Sequence, residues 1–378
     1  MRKLAALTIV LALIAAACSA ETAPTTTTTL ATTTTLVTTT TIPPTTTSTV
    51  PPLEVFGAEA EPVLEELVKD IYAEANADRP NVAAVTVGQF SEDSRVAVVE
   101  AADDVTLAVA DPIWRVIGGW WPSLDQEASL GTFPKIVAVI GSDARPGYEP
   151  LEFQADSIHF VGLTEDGTAS VLGLPRDSWI PVPGLGNQKA TSSLPRGGVD
   201  VMMEAFADLT SLEFDGYLLT GFEGFTGLIG VLGGLDIDVP IDLSDRWAQA
   251  YITAGQQILS PADALAFARV RKTISGGDFT RKKHGGLALI AAATMVKAMG
   301  PGALPGLMNQ ANGFYHTDLP AEDALLLAAA IVRADVAAAP NIVAPGYVDT
   351  TSGGASIVRL RDGAFDLFED LADGRLDG

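Results

Sequence analysis

Two aspartates stand next to apolar stretches of the chain, in positions that suit metal binding. Asp143 follows the apolar run 136–140, and Asp156 begins the next predicted strand. Mg²⁺ is usually held by one or two carboxylates together with oxygens of a phosphorylated substrate. The pair is therefore a candidate site for Mg²⁺ (or Mn²⁺) against a diphosphate. Capping of loops is the alternative role for each aspartate.

Basic residues are concentrated in one part of an acidic chain. The 378 residues carry 47 Asp and Glu against 23 Lys and Arg, a net charge of −24. This charge argues against a general nucleic-acid binder, which needs a basic surface. Nevertheless, 11 of the 23 basic residues lie between Arg145 and Lys283. The acidity of the whole chain is therefore compatible with a local cationic pocket.

Three arginines on separate segments, Arg176, Arg269 and Arg271, suit a multiply charged phosphate. The planar guanidinium group matches the geometry of phosphate oxygens. Arg269 and Arg271 are two residues apart, so an extended segment would place both side chains on one face. Solvated surface charge is the interpretation for three other basic residues: Arg246, Lys272 and Lys282.

Alternating strands and helices must position these residues. The pattern predicts strands at 136–140, 157–163, 169–174 and 236–239, with a turn at 165–167. It predicts helices at 200–209, 222–232, 260–268, 284–299 and 321–334, with Ser260 as an N-cap and Pro261 in the first turn. Strands that alternate with helices predict an α/β layered domain.

The first 52 residues are expected to be an export signal and a tether. Residues 1–18 combine Arg2 and Lys3 with an apolar run that ends at Cys18, which predicts a lipoprotein-type signal peptide with Cys18 lipidated. An ordinary cleaved signal and an uncleaved anchor are the alternatives. Residues 19–52 are predicted to be a disordered linker, because 18 Thr and 5 Pro in the 31 residues 22–52 leave little to bury.

The remaining chain divides into an N-terminal accessory region, 53–130, and a catalytic domain, 131–378. A helix is predicted at 58–77 and extended stretches at 83–90 and 96–110. No chemistry is evident in the accessory region. One Cys excludes a disulfide framework, and three widely separated His argue against a His-rich metal site. The sequence contains neither the G-x-S-x-G of serine hydrolases nor the Gly-Lys-Ser/Thr of P-loop kinases.

Seven motifs, in order, resemble those of the LytR-CpsA-Psr family. They are GSDARPG at 141–147, ADS at 155–157, LPRDS at 174–178, Lys189, FEGF at 222–225 with LGGLDIDVP at 232–240, LAFARVR at 265–271 and DFTR at 278–281. No single motif is decisive, but their order is specific. The resemblance implies a three-layer α/β/α domain, with a mixed central sheet flanked by helices.

The resemblance also implies an enzyme, a glycopolymer–peptidoglycan phosphotransferase. Such an enzyme takes a glycopolymer from a polyprenyl pyrophosphate carrier and joins it to peptidoglycan through a phosphodiester, with charge neutralisation dominating the chemistry. Asp143 and Asp156 would hold Mg²⁺, with Asp143 also a candidate base, and Arg176, Arg269 and Arg271 would clamp the pyrophosphate. The remaining substrate-binding residues would be Arg145, Lys189, Asp278 and Arg281.

One departure from the family pattern concerns the residues after DFTR. The family usually has an Arg-Gln pair where this chain has His284 and Gly285. Protonated His284 or Lys283 is the candidate replacement for that arginine, although neither is equivalent to it. A non-catalytic envelope lipoprotein that binds polyprenyl phosphates is therefore one alternative, and a pyrophosphatase is another.

The expected location is outside the cytoplasm, with the chain anchored to the cell membrane as a lipoprotein or held at the cell surface. The expected partners are the polyprenyl-linked glycan, the peptidoglycan acceptor and the membrane, without nucleic acid.

Overall fold

The computed structural model describes residues 53–59, 61–73 and 79–376. The signal peptide, Cys18 and the linker to residue 52 lie outside the described residues, so their predictions remain predictions. The described chain opens with a six-stranded sheet whose strands are neighbours in sequence order. They are β1 (Glu54–Phe56), β2 (Val82–Gln89), β3 (Arg95–Ala101), β4 (Asp104–Ala110), β5 (Trp114–Trp121) and β6 (Gln126–Ser129).

A second six-stranded sheet carries the candidate site. Its order is β17-β12-β7-β8-β9-β18, from β7 (Lys135–Ser142), β8 (Ala155–Leu163), β9 (Ala169–Gly173), β12 (Gly216–Thr220), β17 (His316–Thr317) and β18 (Asn341–Val343). The pairs β7–β12 and β9–β18 are parallel, whereas β7–β8, β8–β9 and β12–β17 are antiparallel. The sheet is therefore mixed.

Among the described residues, eight α-helices accompany the sheets. They are α1 (Pro62–Ile71), α2 (Ala190–Thr210), α3 (Phe222–Val231), α4 (Pro261–Arg269), α5 (Asp278–Met299), α6 (Leu304–Ala311), α7 (Ala321–Arg333) and α8 (Asp362–Leu371). Helix α4 begins as predicted, because Ser260 Oγ accepts a hydrogen bond from the Asp263 amide at 3.2 Å. Helix α2 is interrupted at Gly198, whose φ of 81° lies outside the helical range.

Apolar side chains cover both faces of the second sheet. On one face Ile136, Ala138 and Ile140 of β7 pack with Phe206 of α2 and Phe368 of α8. The alternate side chains of β7 point to the other face, towards α5 and α7. The domain is therefore a three-layer α/β/α structure around a mixed sheet, which confirms the predicted fold class.

In the described chain, four antiparallel two-stranded sheets lie outside the two larger ones. They pair β10 (Trp179–Val182) with β11 (Gly186–Lys189), β13 (Leu235–Val239) with β16 (Gly255–Leu259), β14 (Leu243–Asp245) with β15 (Ala250–Ile252), and β19 (Gly346–Thr350) with β20 (Ser356–Leu360). The hairpin β14–β15 adjoins the candidate site through Asp245 and the turn that follows it.

The two sheets share one hydrophobic core. Val96, Leu107 and Val109 of the first sheet are buried in the same cluster as Val137 of the second sheet and Leu325 of α7. The boundary predicted near residue 130 separates the two sheets in sequence. Their apolar side chains are nevertheless packed together.

Two predicted elements differ from the observed ones. The extended stretch 96–110 is two strands, β3 and β4, because the chain turns back at Ala102, whose φ is +53°. The segment from 269 to 271 is not uniformly extended, since Arg269 is the last residue of helix α4. The remaining predicted helices and strands are present, with shifted ends.

Candidate active site

A cavity of about 200 Å³ brings together most of the residues that the sequence singled out. Its lining combines five cations with three carboxylates, so it is locally positive in an acidic chain. The lining residues are Asp143, Arg145, Asp156, Phe222, Asp245, Trp247, Ala248, Arg269, Arg271, Lys272 and Arg281. This composition suits an anionic ligand with more than one charge.

The two candidate metal ligands come from adjacent antiparallel strands. Asp143 follows β7 and Asp156 lies at the start of β8, where Ser142 pairs with Ala155. The Asp143 amide donates to the Gln154 carbonyl at 2.9 Å, and Asp143 Oδ1 accepts from the Gln154 amide at 3.0 Å. Burial and the nearby Asp156 raise the pKa of Asp143. The sheet therefore sets both carboxylates at one edge of the cavity.

Four residues form an ion-pair network that we call the inner cluster: Asp156, Arg176, Asp278 and Arg281. Asp156 Oδ1 accepts from Arg176, and Asp156 Oδ2 accepts from Arg281 at 3.3 Å. Arg281 also donates to Asp278, the first residue of α5. Burial acts to raise the pKa of Asp156, but the two arginines outweigh burial and lower it. Every charge in the inner cluster therefore has a partner of opposite sign.

Three other arginines, which we call the outer arginines, are Arg145, Arg269 and Arg271. Within the described part of the chain, none of their guanidinium groups lies within 4 Å of a carboxylate. Arg269 instead stacks over the Phe222 ring at 4.5 Å. Burial and the neighbouring Arg145 lower the pKa of Arg269. The outer arginines therefore present uncompensated positive charge to the cavity.

Asp245, which the sequence analysis missed, holds the segment that carries Arg271. Its Oδ1 accepts from the amides of Trp247 and Ala248, and its Oδ2 accepts from the amides of Arg271 and Lys272. Burial acts to raise the pKa of Asp245, but these four backbone donors lower it. An Asp whose side chain accepts from the amide two residues on is typical of a turn, and that local pattern was the available signal.

Lys282 was interpreted as a solvated surface charge, and this interpretation is wrong. The side chain is 1% exposed, and Nζ donates to the backbone carbonyl of Asp156 at 2.7 Å. Burial, reinforced by the adjacent Arg281, lowers the pKa of Lys282 to about 7. Arg246 is exposed, as expected, and Lys272 lies at the cavity, with Nζ 4.5 Å from the Trp247 ring centroid.

Neither candidate replacement for the family arginine reaches the cavity. His284 is 2% exposed and stacks on Phe267 at a centroid distance of 4.6 Å, and burial lowers its pKa. A protonated His284 that contacts a phosphate is therefore a wrong expectation. Lys283 lies on another side of α5, at a second cavity of about 310 Å³ that it shares with Phe279 and Asn341.

Lys189 lies beside the inner cluster and does not line the cavity. Its Nζ is 2.9 Å from Asp177 Oδ1, and Asp177 is in turn 3.8 Å from Arg176. Arg176 also does not line the cavity and reaches it through Asp156. Some of the predicted site residues therefore line the cavity, whereas others form ion pairs with the lining residues or with their partners.

The donor set fits a cation that needs few protein ligands. Among the described residues, no three His, Cys, Asp or Glu side chains are placed to hold a metal ion together. Asp143 and Asp156 supply two carboxylates at one cavity. Since Mg²⁺ retains water and binds substrate oxygens alongside one or two carboxylates, these two residues are compatible with it.

Comparison with known proteins identifies the family to which the chain is similar. The model of the LytR_cpsA_psr family matches residues 123–346, more than half of the chain. A polyisoprenyl-teichoic acid–peptidoglycan teichoic acid transferase, TagV of Bacillus subtilis, is 32% identical over 34% of this chain and 35% of its own length. The chain thus aligns with about a third of that relative.

Solved structures share the fold. The crystal structure of B. subtilis TagV has a TM-score of 0.55 at 22% identity, covering 63% of this chain and 95% of that one. A structure of TagT bound to LI-WTA has a TM-score of 0.53 at 20% identity, covering 65% and 92%. At these identities the likeness establishes the fold and not the ligand.

Proposed function

Since the chain belongs to the LytR_cpsA_psr family, we propose that it transfers a glycopolymer from a polyprenyl pyrophosphate carrier to peptidoglycan. The observation that carries the proposal is that one cavity holds both the outer arginines, which have no ion-pair partner in the described chain, and the carboxylates Asp143 and Asp156. A pyrophosphate supplies the negative charge that the outer arginines lack. The relative TagV is named as a transferase that uses polyisoprenyl-linked teichoic acid and peptidoglycan, which supports the same substrate class.

The proposed reaction is a displacement at phosphorus. A hydroxyl oxygen of the acceptor forms a bond to the phosphorus that bears the glycan, and the bond from that phosphorus to the bridging oxygen breaks. Polyprenyl monophosphate leaves, and the acceptor keeps a phosphodiester link to the glycan. Asp143 accepts the hydroxyl proton as the general base.

The arginines bind and orient the pyrophosphate. Arg269 and Arg271 contact its oxygens directly, with Arg145 alongside, while Arg281 lines the cavity from the inner cluster. Arg176, Lys189 and Asp278 keep that cluster in place. Bound between Asp143 and Asp156, Mg²⁺ would supply further neutralisation of the phosphate charge. In this arrangement most of the catalysis is positioning and electrostatic stabilisation.

The proposed setting is the outer side of the cell membrane. A lipidated Cys18 and an extended linker to residue 52 would hold the catalytic domain near the lipid carrier and within reach of the wall. Labelling whole cells with a palmitate analogue tests the lipid anchor. Incorporation into the wild-type chain that is lost in C18A supports it, and equal labelling of C18A contradicts it.

A turnover assay tests the proposed reaction. The full chain is incubated with a polyprenyl pyrophosphate-linked disaccharide, peptidoglycan fragments and Mg²⁺, and both products are measured by mass spectrometry. We expect polyprenyl monophosphate and a phosphodiester-linked glycan, with both lost in excess chelator. D143A should reduce the rate by about 100-fold, as loss of a general base does. D238A removes an exposed carboxylate outside the cavity lining and is the matched control.

The same assay separates the alternatives. Release of polyprenyl monophosphate without acceptor, at the same rate as with it, would identify a pyrophosphatase. Binding of the lipid substrate without either product would identify a non-catalytic binder. Either result would overturn the transferase proposal.

A further inference from the structure

Lys282 is a buried cation for which the proposed reaction has no direct use. Its side chain is 1% exposed, and it is among the largest fully buried side chains of the described chain. Burying a charged or strongly polar group carries a free-energy cost unless its partners compensate. Its contacts therefore indicate what keeps it in place.

The Nζ atom of Lys282 binds the main chain of the candidate site. Nζ donates to the Asp156 carbonyl oxygen at 2.7 Å, and Arg281 donates to the same oxygen at 3.2 Å. Asp156 is the residue whose carboxylate joins Arg176 to Arg281. Lys282 thus fixes the backbone from which the centre of the inner cluster projects.

The main chain of Lys282 is itself held by a hydrogen bond from His159 of β8. His159 Nε2–H donates to the Lys282 carbonyl oxygen at 3.0 Å, and Ser157 Oγ–H donates to His159 Nδ1 at 3.3 Å. The imidazole therefore links β8 to the second turn of α5. Because one ring nitrogen donates and the other accepts, the ring satisfies both contacts in its neutral form.

Gly285 provides the room that this imidazole needs. A Cβ atom at position 285 would lie 2.7 Å from His159 Cε1 and 3.1 Å from Nε2, closer than carbon atoms approach. A glutamine, usual in the family at this position, would collide with the ring unless His159 moved. Gly285 and His159 are therefore a coupled pair.

We propose that Lys282 is a positioning residue, held by His159 and Gly285, that fixes Asp156 and so maintains the inner cluster, which supports the pyrophosphate site. This inference rests on the proposed function. At the two positions where the family usually has Arg-Gln, His284 stacks on Phe267 and Gly285 lies against His159, so the support from behind the cavity comes from Lys282.

The test compares ligand binding with stability in K282M. The full chain is titrated with geranyl pyrophosphate, a short soluble polyprenyl pyrophosphate, by isothermal calorimetry in the presence of Mg²⁺. Loss of a group that orients a binding residue typically costs 10-fold to 100-fold, so we expect the Kd of K282M to rise about 10-fold. The melting temperature should change little, because Arg281 still donates to the Asp156 carbonyl oxygen that Lys282 leaves.

K135M is the matched control. Lys135 is also buried, at 6% exposed, but it lies at the start of β7, away from the cavity lining. We expect K135M to bind geranyl pyrophosphate like the wild type. Unchanged affinity in a folded K282M would overturn the inference. Equal loss of affinity in K135M would also overturn it, because the effect would then be general to buried lysines.

Two further variants decide the matter if K282M does not fold. H159A and G285A should each weaken binding, and the double variant should be no weaker than H159A, because both changes disturb one contact. Wild-type affinity in both single variants would overturn the inference. Failure of the wild type to bind geranyl pyrophosphate would overturn the proposed function together with this inference, whereas binding that K282M retains would overturn the inference alone.

Discussion

The inner cluster and the outer arginines are made of similar residues in opposite electrostatic states. In the inner cluster, Arg176 and Arg281 share the carboxylate of Asp156, and Arg281 is 7% exposed. Among the outer arginines, Arg269 and Arg271 face the same cavity without a carboxylate within 4 Å in the described chain. The arginines of the inner cluster are therefore neutralised by carboxylates, whereas the outer arginines remain available to an anionic ligand.

This difference separates residues that maintain the site from residues that bind the ligand. A paired arginine has little free-energy reason to move towards a phosphate, because it must first give up its carboxylate. An unpaired, half-buried arginine gains a partner when an anion arrives. We therefore expect substitutions in the two groups to have different signatures, with affinity affected in both and stability in only one.

R269A should cause the largest loss of affinity for the ligand. Removing one partner of a desolvated charge pair typically costs several kcal/mol, so the Kd for geranyl pyrophosphate should rise about 100-fold. The loss of stability should be small, because within the described chain Arg269 gives up its stacking on Phe222 but no ion pair.

Arg333 provides the control for R269A. It also ends a helix, α7, and stacks over an aromatic ring, Trp120, at 5.1 Å. We expect R333A to retain wild-type affinity. If R269A binds as tightly as R333A, the outer arginines are not the ligand site.

D156N should affect both properties. The substitution leaves Arg176 and Arg281 without the charge that they share, and we expect a loss of about 2 kcal/mol in the free energy of unfolding, measured with urea. Affinity for geranyl pyrophosphate should fall as well.

D104N is the comparison for D156N. Asp104 begins β4 of the first sheet, remote in sequence from the site. It is fully buried and accepts hydrogen bonds from Tyr72 and Ser123. D104N should lose stability but retain affinity. If D156N is as stable as the wild type, the inner cluster does not differ from the outer arginines in its contribution to stability.

The pH dependence of stability tests the support beneath the inner cluster. Burial, reinforced by Lys282, lowers the pKa of His159 from 6.5 to about 3. Between these two pH values His159 is protonated in the unfolded chain but neutral in the folded chain. The free energy of unfolding therefore falls as the pH decreases from about 6.5 towards 3. This contribution amounts to about 1.5 kcal/mol between pH 6.5 and pH 5.

H159M should remove this contribution. Its unfolding free energy should decline less steeply with acid than that of the wild type, with a residual slope from His284, whose pKa burial also lowers. Identical slopes in the two proteins would mean that His159 binds a proton as readily in the folded chain as in the unfolded one, and would contradict the pKa that burial and Lys282 lower.

Local patterns in the sequence predicted most of the fold. The apolar run 136–140 gave β7, and Ser260 with Pro261 marked the start of α4. The division of 96–110 into two strands was missed, because the turn at Ala102 carries no glycine or proline. The acidic residues beside the turn, Asp103 and Asp104, were the available signal of a boundary.

The candidate site was predicted less completely than the fold. Residue type selected Asp143, Arg269 and Arg271, which all line the cavity. It could not separate paired from unpaired arginines, since pairing depends on contacts between distant segments such as Asp156 and Arg281. It also misjudged Lys282, because a lysine in a run of three basic residues is ordinarily a surface residue.

The core that the two sheets share limits how the chain can be shortened. A protein trimmed to begin at Lys135 would keep every residue of the cavity. It would also expose Leu325 and Leu326 of α7, which are now covered in a cluster that includes β3 and β4. An uncovered apolar helix face of this kind promotes self-association. We therefore expect the first sheet, which supplies no residue to the cavity, to keep the rest of the chain from self-associating.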